Sequence, residues 1–377
     1  MIPRWKLRRE LVRAKDRFAA WTGILYEPIL QFRHDRWRAI QPEPHDLGVT
    51  YSGKVAILLI YQPNGIAPSI LTTLRWLEAN GYAPLVVANS PIREADRPSL
   101  EALCWRLFER PNFGYDFGGY RDGILLLDSW GVRPARLLII NDSVWLPTRA
   151  DSTLIARMEA VDADLVGGTM HGPDGRKWRG HLESYLYLCN ASCLVQPAFR
   201  RFWAGYRASN AKQNAIWRGE RQFTAAMRDG GCTTEGLFSL DRFLEVMARQ
   251  APEVLRKSLV YAAYVEPEHA LERDDLLASF EPTSDWTLHA MAHVERSARR
   301  RRFNAVFAFS CDVLLGMDFH KKSVGSSGVL GMSLHHEMRK AYLQAVAQGD
   351  LPEILPEVHA EMAYSVQSYI QKGHDRK

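Results

Sequence analysis

Between residues 53 and 170, apolar runs of strand length alternate with stretches of helical spacing. Lys54–Tyr61 reads KVAILLIY, Pro84–Asn89 reads PLVVAN and Arg136–Ile140 reads RLLII, all nearly unbroken; Trp105–Glu109 and Asp164–Gly167 are shorter strand candidates. Between them, Ile66–Gly81, Gly118–Trp130 and Thr153–Val161 read as helices, with Gly81 and Gly131 as stops. Strands without polar alternation are covered on both faces. The pattern therefore predicts an α/β fold, Rossmann-like, with a mostly parallel sheet and helices on both faces. Four of these strands run into polar loops: Gln62–Gly65, Asn89–Ser90, Asn112–Asp116 and Asn141–Ser143. Open α/β sheets bind ligands at the carboxyl ends of their strands, so these loops predict a site on one edge.

After residue 170 the pattern loosens. Ser184–Val195 reads as one long strand or two short ones. Glu220–Arg228, Leu240–Gln250, Met332–Gln348 and Pro356–Ile370 read as helices, and the charged stretch Glu266–Asp285 as a loop or linker. The expected division is an N-terminal helical segment over 1–45, a main domain over 46–260 and a mostly helical region over 261–377.

Charge changes the picture at the N-terminus. Residues 1–40 hold ten Lys and Arg against four acids, a net +6, which leaves −1 for the other 337 residues. Leu7, Leu11, Ala14, Phe18 and Trp21 form an apolar stripe flanked by these cations. Such a helix suits an anionic membrane surface or a partner, or packs on its own domain with a solvated basic face. The nearly neutral body argues against a nucleic-acid face. A second basic cluster, Arg296 and Arg299 to Arg302, comes with no recognised nucleic-acid module. Five Cys, an odd count, read as free buried thiols. No window of about 18 uninterrupted apolar residues exists. The expected location is therefore cytoplasmic, peripheral at the inner membrane face.

Two stretches carry candidate chemistry. Arg110 to Gly123, RPNFGYDFGGYRDG, places four glycines and two acids after a strand and around a helix start. Glycines such as Gly114 and Gly118 would let backbone approach a diphosphate, and the helix N-terminus would offer N–H groups to it. Asp116 would accept from sugar or ribose hydroxyls, and Arg121 would pair with phosphate. The plainer reading is a tight turn with Asp116 as helix cap. In the second stretch, Asn141, Asp142 and Ser143 end an apolar strand, where Asp142 would support Mg²⁺ or Mn²⁺. The plainer reading there is an Asx-turn.

Together these stretches resemble the rhamnan synthesis protein F family of bacterial surface-polysaccharide biosynthesis. Asn112–Tyr120 matches its N-x-G-Y-D-F-G-x-Y block, Asn141–Ser143 its N-D-S block, and Asp164–Thr169 its D-x-x-G-x-T strand. Glu183–Leu186 stands where the family has Q-S-Y-F, departing at both ends. Tyr61–Gly65 is similar to its Y-D-P-D-G segment, and Asn89-Ser90 to its strand-end N-S. The resemblance runs from about Val55 to Phe243.

It implies a glycosyltransferase of GT-A-like order, with a nucleotide-diphosphate-sugar half before an acceptor half and rhamnose as the associated sugar. The implied donor contacts are Tyr61, Asn89, Asn112, Gly114, Asp116, Gly118, Arg121, Asn141, Asp142 and Ser143, with His181 from the second half. A lone His is more often structural. Only one carboxylate, Asp142, stands where a metal-binding D-x-D would be, so weak metal dependence is expected. The family's helix-starting Glu falls at Glu220, which would be the general base, with Asp241 as second candidate. Each could equally be a helix N-terminal acid. The single carboxylate at Asp142 also leaves a non-catalytic reading open, a glycan- or nucleotide-binding scaffold in an assembly complex. The expected acceptor is a surface polysaccharide or a lipid-linked glycan.

Overall fold

The computed structural model describes residues 25–172, 180–322 and 333–374. The chain forms two compact units. The first takes the residues through Asp142 and then Ile155–Leu237; the second takes Ser143–Leu154 and the chain from Phe238 on.

The first unit opens with helix α1 (25–39). There follow β1 (Lys54–Ile60), α2 (Pro68–Ala79), β2 (Ala83–Ala88), α3 (Arg97–Glu101), β3 (Arg106–Glu109), α4 (Tyr115–Ser129) and β4 (Arg136–Asn141). The sheet order is β3-β2-β1-β4-β8-β6-β7, where β6 is Leu165–His171, β7 His181–Leu182 and β8 Leu186–Asn190. β1 to β4 are mutually parallel. β8 runs antiparallel to both β4 and β6, so β6 points with the first four and β7 against them. The sheet is mixed but mostly parallel, as the apolar runs predict.

Register fixes the edge. Ile60 pairs with Ala88 and Leu59 with Asn141. Tyr61, Asn89 and Asn141 therefore leave the sheet side by side. Alternate residues of β1 serve opposite faces. Val55, Ile57 and Leu59 join a core with Phe117, Tyr120 and Ile124 of α4. Ala56, Leu58 and Ile60 are equally buried on the other face.

Three local readings change. α4 begins at Tyr115, three residues before the expected Gly118, so Asp116 lies inside its first turn. Ser184–Val195 is neither one strand nor two: β8 stops at Asn190, which pairs with Arg136 at the start of β4. With its partner strand exhausted, the apolar run continues as α6 (Ala191–Leu194) and buries Cys193. Glu220 does not start a helix. α7 (Pro197–Gly205) is followed by one helical stretch made of α8 (Lys212–Ile216), a π-helical turn (Trp217–Arg221) and α9 (Gln222–Asp229).

In the second unit, β5 (Val144–Trp145) pairs antiparallel with β10 (His320–Lys321). α5 (Leu154–Glu159), which follows β5, lies almost wholly in the first unit, as does most of β9 (Thr234–Ser239), which pairs with β6 as the eighth strand of the main sheet and leads into α10 (Leu240–Met247). The helices α11 (Pro252–Val260), α12 (Pro267–Ala278), α13 (Ser284–Arg300), α14 (Phe303–Val306), α15 (Ala308–Leu315), α16 (Leu334–Ala347) and α17 (Pro356–His374) complete the second unit. The stretch expected as a charged loop is thus α12 and the start of α13. Its acids meet the second basic cluster: Arg301 Nε donates to Glu266 at 2.6 Å, Arg300 lies 3.6 Å from Glu268, and Arg296 pairs with Glu272.

The five cysteines are free and buried. No described helix is long and apolar enough to cross a membrane. The stripe from Leu7 to Trp21 lies outside the described residues.

Candidate active site

The carboxyl edge of β1 to β4 carries an open cleft lined by Tyr61, Asn89, Ser90, Glu109, Arg110 and Asn112. Below it sits a buried ionic cluster that sequence reading missed. Asp122, with 1% of its side chain exposed, accepts from Arg110 Nε at 2.6 Å and from Arg38 Nη1 at 3.1 Å. The same carboxylate lies 2.6 Å from His34 Nε2. Burial alone would raise the Asp122 carboxyl. The His34 hydrogen bond and the neighbouring Arg110 and Arg38 charges outweigh it and hold the group far below the usual carboxylate range. Arg110 then reaches up to the edge, donating to Asn89 Oδ1 at 2.5 Å and to the Phe113 carbonyl at 2.7 Å. Asn89 is thereby oriented through Arg110. The one local signal was that Arg110 and Asp122 share the glycine-rich stretch. Their partners on α1 lie more than 70 residues away.

The glycines of that stretch act differently from one another. Gly114 is left-handed (φ 85°), and Tyr115 beside it is too (φ 51°), a strained state for an aromatic residue. The Gly114 N–H donates to Asn210 Oδ1 at 2.9 Å. Gly118 and Gly119 do not open the backbone to a ligand, which corrects the expectation for Gly118. A Cβ at 118 would lie 2.2 Å from the Phe113 carbonyl oxygen, and one at 119 equally close to Leu59. They are there for close packing of α4 on its own turn and on β1. Arg121 is also corrected. It is 5% exposed, donates to both oxygens of Asp35 on α1 and to the Trp203 carbonyl, and so locks α1 to α4.

Asp116 is no helix cap: its Oδ2 accepts from Asn141 Nδ2 at 2.9 Å. Asn141 is itself only 2% exposed. Asp142 Oδ2 accepts from the Tyr61 N–H at 2.7 Å and from Gln62 Nε2 at 2.6 Å. The carboxylate expected to hold a metal thus ties the end of β1 to the end of β4. Among the described residues, the three-membered group of close His, Cys, Asp or Glu side chains lies in the second unit. The donor set at this edge therefore does not fit a divalent cation held by protein side chains alone. Ser143 opens the second unit, its carbonyl accepting from the Lys322 N–H at 2.7 Å.

Asp116 and Glu220 meet in one small pocket, lined also by Tyr115, Phe117, Ser184 and Lys212. Glu220 sits in the π turn; such turns recur at functional sites because they re-aim a side chain. Gly219 lets that turn press onto α4, since a Cβ there would lie 2.4 Å from the Phe117 ring. The Ser184 hydroxyl donates to Glu220 Oε1, and His181 Nε2 stands 3.5 Å from Oε2. His181 is 3% exposed, so it reaches the pocket only through Glu220. The Tyr120 hydroxyl donates to the Ser184 carbonyl at 2.8 Å and fixes this strand end. Asp241 does not line this pocket. It sits in the first turn of α10 in the second unit, beside Leu244, Leu288 and Glu295.

Known proteins match this chain to different extents. An uncharacterized protein, y4gN, of Sinorhizobium fredii is 34% identical over 210 residues, which are 56% of this chain and 55% of that protein. The chain thus spans about half the length of this curated relative. Mannosyltransferase PcManGT from Pyrobaculum calidifontis, solved with GDP-Man and Mn²⁺, is 11% identical with a TM-score of 0.34, covering 97% of this chain and 99% of that one. Core-mannan synthase A from Aspergillus fumigatus, in its Mn/GDP form, is 10% identical with a TM-score of 0.28, covering 52% and 76%. Likenesses of that size carry no chemistry. The model of the family described as "Rhamnan synthesis protein F" matches residues 85–259, which hold most of β2, then β3, β4, α4, Asp116, Glu220 and α9. Over that segment the chain resembles the rhamnan synthesis protein F family.

Proposed function

We propose that this protein is a glycosyltransferase that moves a sugar from a nucleotide-diphosphate donor to a bacterial surface polysaccharide or lipid-linked glycan, with rhamnose the sugar the family points to. The observation that carries the reading is the shared pocket of Asp116 and Glu220 at the carboxyl edge of the sheet. In this reading the half-exposed Tyr61 offers its ring to the base or sugar in the cleft with Asn89 and Asn112. Asp116, braced by Asn141, accepts from donor hydroxyls. Glu220 takes the proton of the acceptor hydroxyl as its oxygen bonds to the anomeric carbon. The bond from that carbon to the diphosphate oxygen breaks, and the nucleoside diphosphate leaves with the electron pair. Lys212, exposed at the start of α8, takes over the charge-neutralising part expected of Arg121.

A base of this kind contributes about 10²–10⁴-fold to rate. Glu220→Gln keeps shape and one acceptor oxygen but takes no proton. Transfer at saturating donor should fall by roughly a hundredfold or more, with donor affinity retained; Asp241→Asn should keep most activity. Full turnover in Glu220→Gln would remove the mechanism. The binding-scaffold reading draws on the engagement of Asp142 by β1. Donor binding without turnover across a panel of sugar nucleotides and glycan acceptors would establish it instead.

A further inference from the structure

The second unit holds a cluster of two histidines and a carboxylate apart from the candidate active site. His269 and Glu272 stand three apart on α12, hence on one face. His293 faces them from α13 with its side chain fully buried. His293 Nδ1 lies 3.0 Å from Glu272 Oε2, and the two imidazole centroids are 5.9 Å apart. One ligand atom from each of the three residues falls within 4.8 Å of the others. Each ring is also oriented from outside by a hydroxyl: Tyr264 lies 2.8 Å from His293 Nε2, and Ser297 lies 3.1 Å from His269 Nδ1. Outer partners of this kind fix ring tilt and tautomer in metal-ligating histidines.

We infer that His269, Glu272 and His293 form a binding site for a zinc-class divalent cation that clamps α12 to α13. Two imidazoles and one carboxylate suit Zn²⁺ or Co²⁺ and do not suit Mg²⁺ or Ca²⁺, which require oxygen ligands. Metal–nitrogen bonds of about 2.0–2.1 Å put tetrahedral ligand atoms about 3.3 Å apart. The His293–Glu272 pair already has that spacing, and the remaining ligand must close by no more than about 1.5 Å. Water fills the fourth position. Entry is from the Glu272 side, where that side chain is 41% exposed. Arg296 occupies the same carboxylate as a half-exposed ion pair, a weak bond that a cation can displace.

The test uses tag-free, chelator-treated full-length protein titrated with Co²⁺ and then with Zn²⁺ as competitor. The expected result is one equivalent of Co²⁺ with the intense visible bands of a four-coordinate site, bleached by Zn²⁺. Zn²⁺ should also raise the thermal midpoint. His269→Gln, at a buried position 9% exposed, and Glu272→Gln, at a partly accessible one, should each weaken binding by more than about 100-fold, beyond the loss from removing an outer partner. Arg296→Gln removes the competitor and should tighten binding severalfold, which gives a readout free of any folding defect. Absence of a Co²⁺ spectrum in the wild type, or binding unchanged in all three variants, would overturn the site.

Discussion

Replacing Asp122 by Asn tests the buried cluster that holds the candidate site. The exchange keeps volume but removes a negative charge facing Arg110 and Arg38, and it turns one oxygen into an NH₂ donor. Oδ2 faces Arg110 Nε and His34 Nε2, and Oδ1 faces Arg38 Nη1, so the new donor meets a donor in either orientation. The Arg110 side chain is fully buried. Breaking a buried pair from one side costs about 3–5 kcal/mol. For a unit of this size that lowers the thermal midpoint by about 10 °C. The dependence on pH has a definite sign. A carboxyl held below its ordinary value of 3.8 stabilises the fold fully above that value, and the contribution is lost as pH falls through the folded-state value. The gap between wild type and Asp122→Asn should therefore be constant near neutrality and shrink below about pH 4. Urea unfolding followed by tryptophan fluorescence across that range measures it. A loss under about 1 kcal/mol at pH 7, or a gap that widens in acid, would refute the account of this cluster.

Asp116→Asn should weaken donor binding by roughly tenfold or more, since a lost charged partner costs about 1.5–3 kcal/mol, while the fold survives; unchanged calorimetric affinity would end its role. Turnover should survive EDTA, because Asp142, the carboxylate at the strand end where a metal is expected, is already engaged by two donors; complete loss restored by Mn²⁺ would contradict this. Along α1, Leu25, Ile29 and Phe32 are each more than 60% exposed on one face beside Arg33 and Arg36. Leu25→Ser combined with Ile29→Ser and Phe32→Ser should reduce sedimentation with anionic vesicles, and equal sedimentation would show that this face has another use.

The sheet was legible because burial on both faces leaves unbroken apolar runs, and β1, β2 and β4 fall within one residue of KVAILLIY, PLVVAN and RLLII. The edge was legible because parallel strands send every following loop the same way. What escaped depends on distance or on spacing. His34 and Arg38 meet Arg110 and Asp122 through contacts spanning 76 to 88 residues, and no local pattern records that. A π turn adds one residue to a helical repeat, so Glu220 reads as an ordinary helical acid. Gly118 and Gly119 look like a ligand cradle in sequence, and only the space around their Cα atoms assigns them to packing. In 266–285 the charge density reads as solvated loop, yet the acids serve as counter-ions for α13.

The second unit borrows Ser143–Leu154 from the middle of the first unit's sequence, so the backbone crosses between them at three peptide bonds. No single cut therefore separates the two. A truncation after Leu237 would carry β5 away from β10, strip Trp145 of the packing that leaves it 3% exposed, and orphan Arg149 from Asp312. An unpaired apolar edge in that position invites aggregation. Genetic fusion, domain exchange and limited digestion on this protein should keep Ser143–Leu154 together with everything after Phe238, or move neither.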